Sequence, residues 1–155
     1  MTQIAITVKQ PFAYLICAGI KDVENRSWKL PEKYKGKRVL IHAGADRGFE
    51  KGIFSNYFTD EQKRIYIRTK IKRMMLPDYD NIYSAIIGSV EIVDCVKNHP
   101  SVWAEHWATK PWHNGVRGGF YDIECYNWIL ANPILFDKPI ENVKGKLGFW
   151  KYENK

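Results

Sequence analysis

Several side chains that can bind a polar ligand lie close together between residues 21 and 28. In an extended chain, alternate side chains project to the same side. Here that side carries Asp22, Glu24, Arg26 and Trp28, with Lys21 directly before them. Lysine and arginine donate hydrogen bonds to phosphate or carbonyl oxygens, a carboxylate accepts them from an amino group, and tryptophan offers a stacking face. The stretch therefore predicts a site for a nucleotide or a similar ligand.

The same residues also permit a structural interpretation. Glu24 has a cation on either side in sequence, so it can form an ion pair with Lys21 or with Arg26, and Trp28 can belong to the core. Stacking on one aromatic ring contributes on the order of 1 to 3 kcal/mol. One aromatic ring and a charge pair therefore predict weak binding of a nucleotide.

The histidines and cysteines show no spacing typical of a metal site or of a nucleophile and its base. His99, His106 and His113 are scattered through one irregular segment, and the cysteines at 17, 95 and 125 form no CxxC pair. We predict no metal and no cofactor. His42, within a strand-like LIHAG stretch, is expected to be a hydrogen-bonded residue in the wall of the site.

Residues 59 to 75 predict a basic helix. Thr59 and Gln62 have the spacing of a capping box, and apolar residues at 65, 67, 71, 74 and 75 are expected to line one side. This segment contains six basic residues and only two acidic ones. It therefore holds more than half of the formal net charge of +7. The basic set is Lys63, Arg64, Lys70, Lys72, Arg68 and Arg73. These residues either hold a nucleic-acid backbone or form a solvated helix face.

The remaining pattern predicts an α+β protein with about six strands. Strand-like runs occupy residues 3–8, 37–44, 84–96, 126–136 and 144–152, with Gly88 at a bend or bulge of the longest. A short helix begins at Pro11 and ends at Gly19. Parallel βαβ alternation is absent, which favours a small mixed or antiparallel barrel.

A segment rich in tryptophan, residues 97–119, has little periodicity and predicts a functional loop. Glycines at 115, 118 and 119 would let it move as a lid. Its three tryptophans, Trp103, Trp107 and Trp112, either pack against the barrel or form an aromatic shelf for a ligand.

Bulk composition narrows the class of protein. A chain of 155 residues with 45% hydrophobic residues predicts one domain, residues 1–155. We expect a cytoplasmic protein that does not bind membranes, because the chain has no export signal, no membrane-spanning stretch and an odd number of unpaired cysteines expected to be buried and reduced. The excess of positive charge predicts polyanionic partners.

The stretch VKQPFAYLICAGIKDVENRSW resembles the opening signature of the ASCH domain family. That signature has a Gln-Pro pair opening a helix, a Gly-x-Lys and a Glu-x-Arg-x-Trp strand. The matching positions are Gln10, Pro11, Gly19, Lys21, Glu24, Arg26 and Trp28. Phe12 stands where a tryptophan is common. The resemblance continues through LIHAG, IIGSVEIVDCV, WILANP and LGFWKYE, and so extends over most of the chain.

This resemblance implies a PUA-like β-barrel with a short helix across a cleft. It does not include roughly residues 48 to 82 or the tryptophan-rich loop, so the basic helix is expected to be an insertion in that barrel. It implies a role in binding RNA, another nucleic acid or a nucleotide fragment between the first helix and the barrel. The implied ligand-binding set is Gln10, Lys21, Glu24, Arg26, Trp28 and His42, although the Gln10 amide has an equally good structural interpretation in which it caps the barrel.

A hydrolase is the alternative, acting on acylated nucleosides such as acetylated cytidine, or on RNA as a ribonuclease. Related bacterial amidohydrolases use a lysine, a threonine and a glutamate, and Lys21 matches the lysine. Glu24 stands at the threonine position, and a carboxylate there stabilises the ammonium form of Lys21 and disfavours it as a base. The base would then be Glu24 itself, or a carboxylate such as Glu91 or Glu105. A domain that binds a protein through its tryptophan-rich loop is the third alternative.

Overall fold

The structure is a computed structural model, and it describes residues 1–49, 57–111 and 120–154. Its strands are β1 Thr2–Val8, β2 Val23–Arg26, β3 Lys37–Ala43, β4 Ala85–Val96, β5 Ala108–Pro111, β6 Phe120–Ile123, β7 Tyr126–Ile140 and β8 Phe149–Glu153. Its helices are α1 Phe12–Cys17 and α2 Asp60–Lys72. The elements predicted for the first half of the chain, including the basic helix, are confirmed.

Six strands form one mixed sheet in the order β2-β7-β4-β3-β1-β8. The β1–β3 pair is parallel and the other neighbours are antiparallel. The sheet curves into a half-barrel, and α1 packs against β3, β4 and β7. This arrangement confirms the α+β class and is consistent with a PUA-like barrel. Strands β5 and β6 form a separate hairpin.

Close packing of α1 on the sheet depends on a glycine in β4. The β4–β7 register shifts between Ile86 and Gly88, which confirms the predicted irregularity. A Cβ atom at Gly88 would lie 2.6 Å from Cys17 Sγ and closer still to the carbonyl oxygen of Ile134. The helix and β7 can therefore both approach this point only because the side chain is absent.

The two predicted boundaries of α1 are also confirmed. Pro11 occupies the N-cap position, where the missing amide hydrogen costs nothing. Gly19 follows the helix with φ +77°, a left-handed conformation that favours glycine. Lys21 therefore comes two residues after a sharp turn that directs the chain into β2.

The capping box of α2 is confirmed, but the predicted apolar side is wrong. Thr59 Oγ1 accepts from the Gln62 amide at 3.2 Å, and the Thr59 amide donates to Gln62 Oε1 at 3.0 Å. The buried residue is Tyr66, which packs in an aromatic cluster with Phe58. Of the five apolar residues, Ile65 is partly buried against the core, whereas exposure is 49% for Ile67, 63% for Ile71, 76% for Met74 and 96% for Met75. Aromatic packing, and not the aliphatic stripe, decides which face of α2 is buried.

Two further predictions need correction. The last strand was predicted to begin at residue 144, but β8 begins at Phe149, and the preceding loop ends at Gly148 with φ +64°. The tryptophan-rich segment is not wholly irregular, because it contains β5, which pairs antiparallel with β6. Trp112, His113 and the proposed lid glycines lie outside the described residues.

The thiols of Cys17, Cys95 and Cys125 are free, as predicted. Cys17 and Cys125 are buried and Cys95 is partly exposed, and burial raises the pKa of Cys17 well above its usual range. In the part of the chain that is described, no helix is both long and apolar enough to cross a bilayer. Over the same residues, no group of three or more histidine, cysteine or acidic side chains is placed to hold a metal ion.

Candidate functional site

A cleft of about 760 Å³ opens at the ends of β1 and β3. Thr7 and Val8 of β1 and His42 of β3 form its back, and the β2 residues Glu24 and Arg26 form its floor. Its sides are α1 with the start of α2, and the loop of residues 144–148. This volume is within the usual range for small-molecule sites, roughly 300 to 1,000 Å³.

Three predicted residues form one buried ion cluster at the cleft floor. Glu24 Oε2 lies 3.3 Å from Lys21 Nζ, and Glu24 Oε1 lies 3.0 Å from Arg26 Nε. Lys21 also donates to the carbonyl oxygen of Val23, and Arg26 Nη2 donates to that of Thr7 at 2.9 Å. Lys21 and Glu24 are only 5% and 7% exposed. Glu24 therefore forms both of the ion pairs that were expected as alternatives, because one carboxylate oxygen pairs with Lys21 and the other with Arg26.

Trp28 does not line the cleft. Strand β2 ends at Arg26, so the alternation that would place Trp28 beside Glu24 stops one step too early. Its ring packs edge-to-face on Trp128, with centroids 4.7 Å apart, and on Phe149 at 5.8 Å. Trp28 therefore packs with other aromatic residues of the protein, as its structural interpretation expected.

Gln10 is 1% exposed and also lies away from the cleft lining. Its Nε2 donates to the carbonyl oxygens of Tyr79 and Ile82, each at 2.8 Å. Its Oε1 accepts from the Tyr14 amide at 3.1 Å. Because these bonds connect the start of α1 to residues 79–82, the Gln10 amide has a structural role, as a connection between segments and not as the cap of the barrel that was expected.

His42 lines the back of the cleft and is 1% exposed. Its Nε2 lies 2.8 Å from the carbonyl oxygen of Val143, so that nitrogen carries the proton and donates. Nδ1 has no hydrogen-bond partner among the described residues. Burial lowers the pKa of His42, and the bond to Val143 offsets part of that shift. The ring is therefore neutral at pH 7, which agrees with its prediction as a wall residue.

Two aromatic residues that the sequence did not identify as site residues line the α1 side of the cleft. Phe12 and Tyr57 present rings there, with centroids 6.1 Å apart. Trp103, which the sequence raised as part of an aromatic shelf, is buried and also lines the cleft. Lys21 Nζ lies 5.6 Å from the centre of the Phe12 ring. The sequence could have indicated Phe12 as a site residue, because it stands at the position where the related family commonly has a tryptophan.

The opposite side of the cleft is the loop that was predicted to be strand. Lys144, Gly145, Lys146 and Leu147 line it, and Leu147 is 98% exposed. The Thr7 hydroxyl donates to the carbonyl oxygen of Lys146 at 3.0 Å, and the Val143 amide donates to that of Ser84 at 2.9 Å. The sequence contained a signal for a loop that was missed. Two lysines flank one glycine, and a second glycine follows two residues later, a pattern that favours a loop over a strand.

Asn25, which alternation places on the far side of β2, holds a third edge of the cleft. Its Nδ2 donates to the carbonyl oxygen of Trp103 at 2.9 Å, and its Oδ1 accepts from the Glu105 amide at 2.9 Å. Asn127 Nδ2 donates to the same Oδ1. This network fixes the segment that places Glu105 in the cleft lining.

The tryptophans of this segment that the structure describes are largely packed. Trp103 is 3% exposed, and the part of it that is not covered lines the cleft. Trp107 packs edge-to-face on Tyr126 and lies under Lys97 Nζ at 3.9 Å. Neither ring forms an exposed shelf.

The basic residues of α2 divide into two sets. Lys63 pairs with Asp60 at 3.6 Å, Lys70 is held by Asp78 and Asp80, and the Arg73 guanidinium lies 6.0 Å from the centre of the Tyr14 ring. The other set is exposed and consists of Arg64, Arg68 and Lys72. Gln62, near the start of α2, lines the cleft, and the exposed set lies further along the helix on the side away from Gln62.

A second concavity of about 560 Å³ lies at the other end of β1, beside Thr2 and Ile4. Basic side chains border it too, from Lys33, Lys37 and Arg38. Arg38 is engaged by Glu91 at 3.0 Å, and Glu91 accepts a further bond from Asn132. Glu91 is therefore remote from Lys21, whereas Glu105 lines the same cleft.

The family model described as the ASCH domain matches residues 6–140, which is most of the chain. Comparison with curated proteins gives no match. The matched range contains the ion cluster, His42 and α2, and it stops before the loop of residues 144–148.

Proposed function

The chain belongs to the ASCH domain family, and we propose on that premise that it binds nucleic acid, as RNA or as a modified nucleotide, in this cleft. The observation that carries the proposal is that aromatic rings and basic side chains face the same cavity. Phe12 and Tyr57 supply ring surface on one side, and Lys144 and Lys146 supply charge on the other. Stacking plus phosphate contacts is how proteins usually hold single-stranded nucleic acid.

The exposed cations of α2 extend this site. Arg64, Arg68 and Lys72 follow one another at intervals of four residues, so they lie along one side of the helix. The helix begins at Asp60 and is about 20 Å long, and Gln62 in its first turn lines the cleft. Arg64, two residues later, lies on the opposite side of the helix from Gln62. A single strand that leaves the cleft and passes around the first turn of α2 can then run along the helix with its phosphates against this set.

The proposal is tested by titrating fluorescently labelled single-stranded RNA, duplex RNA and single-stranded DNA with the native protein at low and at physiological salt. We expect single-stranded RNA to bind most tightly and its affinity to fall steeply as salt rises, because phosphate contacts release counterions. Absence of binding to all three probes at every salt concentration would contradict the proposal.

A second candidate, hydrolysis of an acylated nucleoside, is favoured by one observation. Glu105 is exposed, lines the cleft and forms no side-chain hydrogen bond or ion pair within the described residues. Burial raises the pKa of Cys125, and Glu105, Lys21 and Glu24 all contribute to its electrostatic surroundings, so these charges converge there. Glu24 has both oxygens occupied by cations, which makes Glu105 the better placed general base.

This candidate is tested by metal-free assays of acetylated cytidine, with release of cytidine and acetate as the readout, and of labelled RNA for nuclease activity. We expect Glu105→Gln to abolish any hydrolysis while leaving nucleoside binding within about twofold. Asp122→Asn, an exposed acidic position outside the cleft lining, is the matched control. Equal activity in the native protein and in Glu105→Gln would rule out this role for Glu105.

A further inference from the structure

The cations at the floor of the cleft are already paired. Lys21 and Arg26 share the Glu24 carboxylate, and Glu105 lines the same cleft at another edge. Glu24 lies within 3.3 Å of both cations, and hydrogen bonds to Val23 and Thr7 occupy further donors of Lys21 and Arg26. A phosphate placed at the floor would gain less attraction than it would beside unpaired cations, and it would lie close to the Glu24 carboxylate.

The rim of the cleft differs in charge. Lys144 and Lys146 are exposed, line the cleft and form no ion pair among the residues that the structure describes. The third rim lysine, Lys9, pairs with Asp46 at 3.2 Å. The strongest unpaired positive charge around the cleft therefore lies on one short loop.

The backbone of that loop is fixed. His42 Nε2 donates to Val143, and the Thr7 hydroxyl donates to Lys146. A Cβ atom at Gly145 would lie 2.7 Å from His42 Nδ1 and 2.8 Å from Thr7 Oγ1, so the loop lies directly on the back of the cleft. The backbone positions from which both lysine side chains extend are thus defined, so binding an anion there does not require the loop itself to be ordered.

We propose that the cleft takes a nucleotide base-first, with the base between the Phe12–Tyr57 side and the floor and the phosphate against Lys144 and Lys146. This inference rests on the proposed function and names the orientation and the phosphate subsite of the same cleft. It assigns no phosphate to Lys21 or Arg26. The ion cluster instead offers its remaining donors to the carbonyl oxygens of the base.

The test is isothermal titration calorimetry at low salt with the four ribonucleosides and their 5′-monophosphates. The proteins are the native chain, Lys144→Ala/Lys146→Ala, and the matched control Lys29→Ala/Lys151→Ala, whose lysines are exposed and lie outside the cleft lining. In the native chain and the control, we expect the monophosphate of the preferred base to bind about tenfold more tightly than its nucleoside. In the rim variant the two affinities should become equal, with nucleoside affinity unchanged within about twofold.

A charge reversal, Lys144→Glu/Lys146→Glu, should make the nucleoside the tighter ligand. Circular dichroism verifies that each variant is folded. If native protein binds nucleosides and monophosphates and the rim variant keeps the tenfold difference, the orientation is wrong and the proposed function stands. If the native protein binds nucleosides without any preference for the monophosphate, the phosphate subsite is likewise wrong. If neither class of probe binds the native protein, the proposed function fails and this inference fails with it.

Discussion

The cleft floor and the outer side of α2 are both rich in basic residues, but they use the charge differently. At the floor, Lys21 and Arg26 are held by Glu24 inside the protein. On α2, Arg64 and Arg68 are exposed to solvent. Charged groups that are already paired inside the protein can position and orient a ligand. Exposed charged groups, in contrast, attract polyanions. A count of basic residues in the sequence cannot distinguish the two.

The largest expected effect is on stability at the floor. Glu24→Ala leaves the buried Lys21 and the partly buried Arg26 without a counter-charge, and breaking such an ion cluster costs roughly 3 kcal/mol. Urea unfolding measures the change in the free energy of unfolding. Glu61→Ala, on the exposed first turn of α2, is the matched control and should cost less than about 1 kcal/mol. Similar costs for the two variants would erase the distinction between the regions.

The next effect concerns the junction between the rim loop and the back of the cleft. Gly145→Ala places a methyl group within 3 Å of the buried His42 ring and Thr7 Oγ1, so the loop must move, at a cost of about 1 to 3 kcal/mol in stability. At Gly44 an added Cβ atom meets its nearest neighbour only at 3.4 Å, so Gly44→Ala should be nearly neutral. Thermal unfolding of both variants makes the comparison. A neutral Gly145→Ala would show that the loop is not fixed.

The exposed set on α2 should affect affinity for nucleic acid and not stability. In Arg64→Ala/Arg68→Ala/Lys72→Ala, the slope of log affinity for single-stranded RNA against log salt should become shallower by about 2. Lys29→Ala/Lys138→Ala/Lys151→Ala removes three other exposed charges as a control. An unchanged slope in the first variant, or the same change in the control, would show that α2 does not contact the backbone.

The smallest effect is the pH dependence contributed by His42. Because burial lowers its pKa in the folded state, the unfolded chain binds more protons below about pH 6.5, and the free energy of unfolding falls as the pH is lowered. In His42→Gln this contribution is lost. Urea unfolding at about pH 7.5 and pH 5.5 should show a loss that is greater in the native protein by about 1 kcal/mol. An equal loss in both proteins would contradict the buried, neutral histidine.

The fold was predictable where local pattern and turn residues agreed. The runs that became β1, β3 and β4, the boundaries of α1 at Pro11 and Gly19, and the capping box of α2 all depend on neighbours in sequence. The buried face of α2 was not predictable in this way. It is selected by Phe58 and Tyr66 packing together, a contact that competes with the aliphatic stripe and wins.

The site was predictable in part for the same reason. Alternation correctly placed Glu24 and Arg26 on one side of β2, but it could not indicate where the strand ends, and so it wrongly grouped Trp28 with them. Nor could it show that Lys144 and Lys146 reach the cleft, because they come from the other end of the chain and their apolar neighbours resemble a strand. Such long-range convergence is set by sheet topology and not by local sequence.

Cross-linking of the native protein to RNA tests the central claim most directly, because it locates the ligand without any substitution. Single-stranded RNA of mixed sequence containing 4-thiouridine is irradiated with the protein, and the cross-linked peptides are identified by mass spectrometry. We predict cross-links to Phe12, to Tyr57 and to the loop of residues 144–148. Cross-links confined to the second concavity near Tyr34 and Arg38, or none at all, would contradict nucleic-acid binding in this cleft.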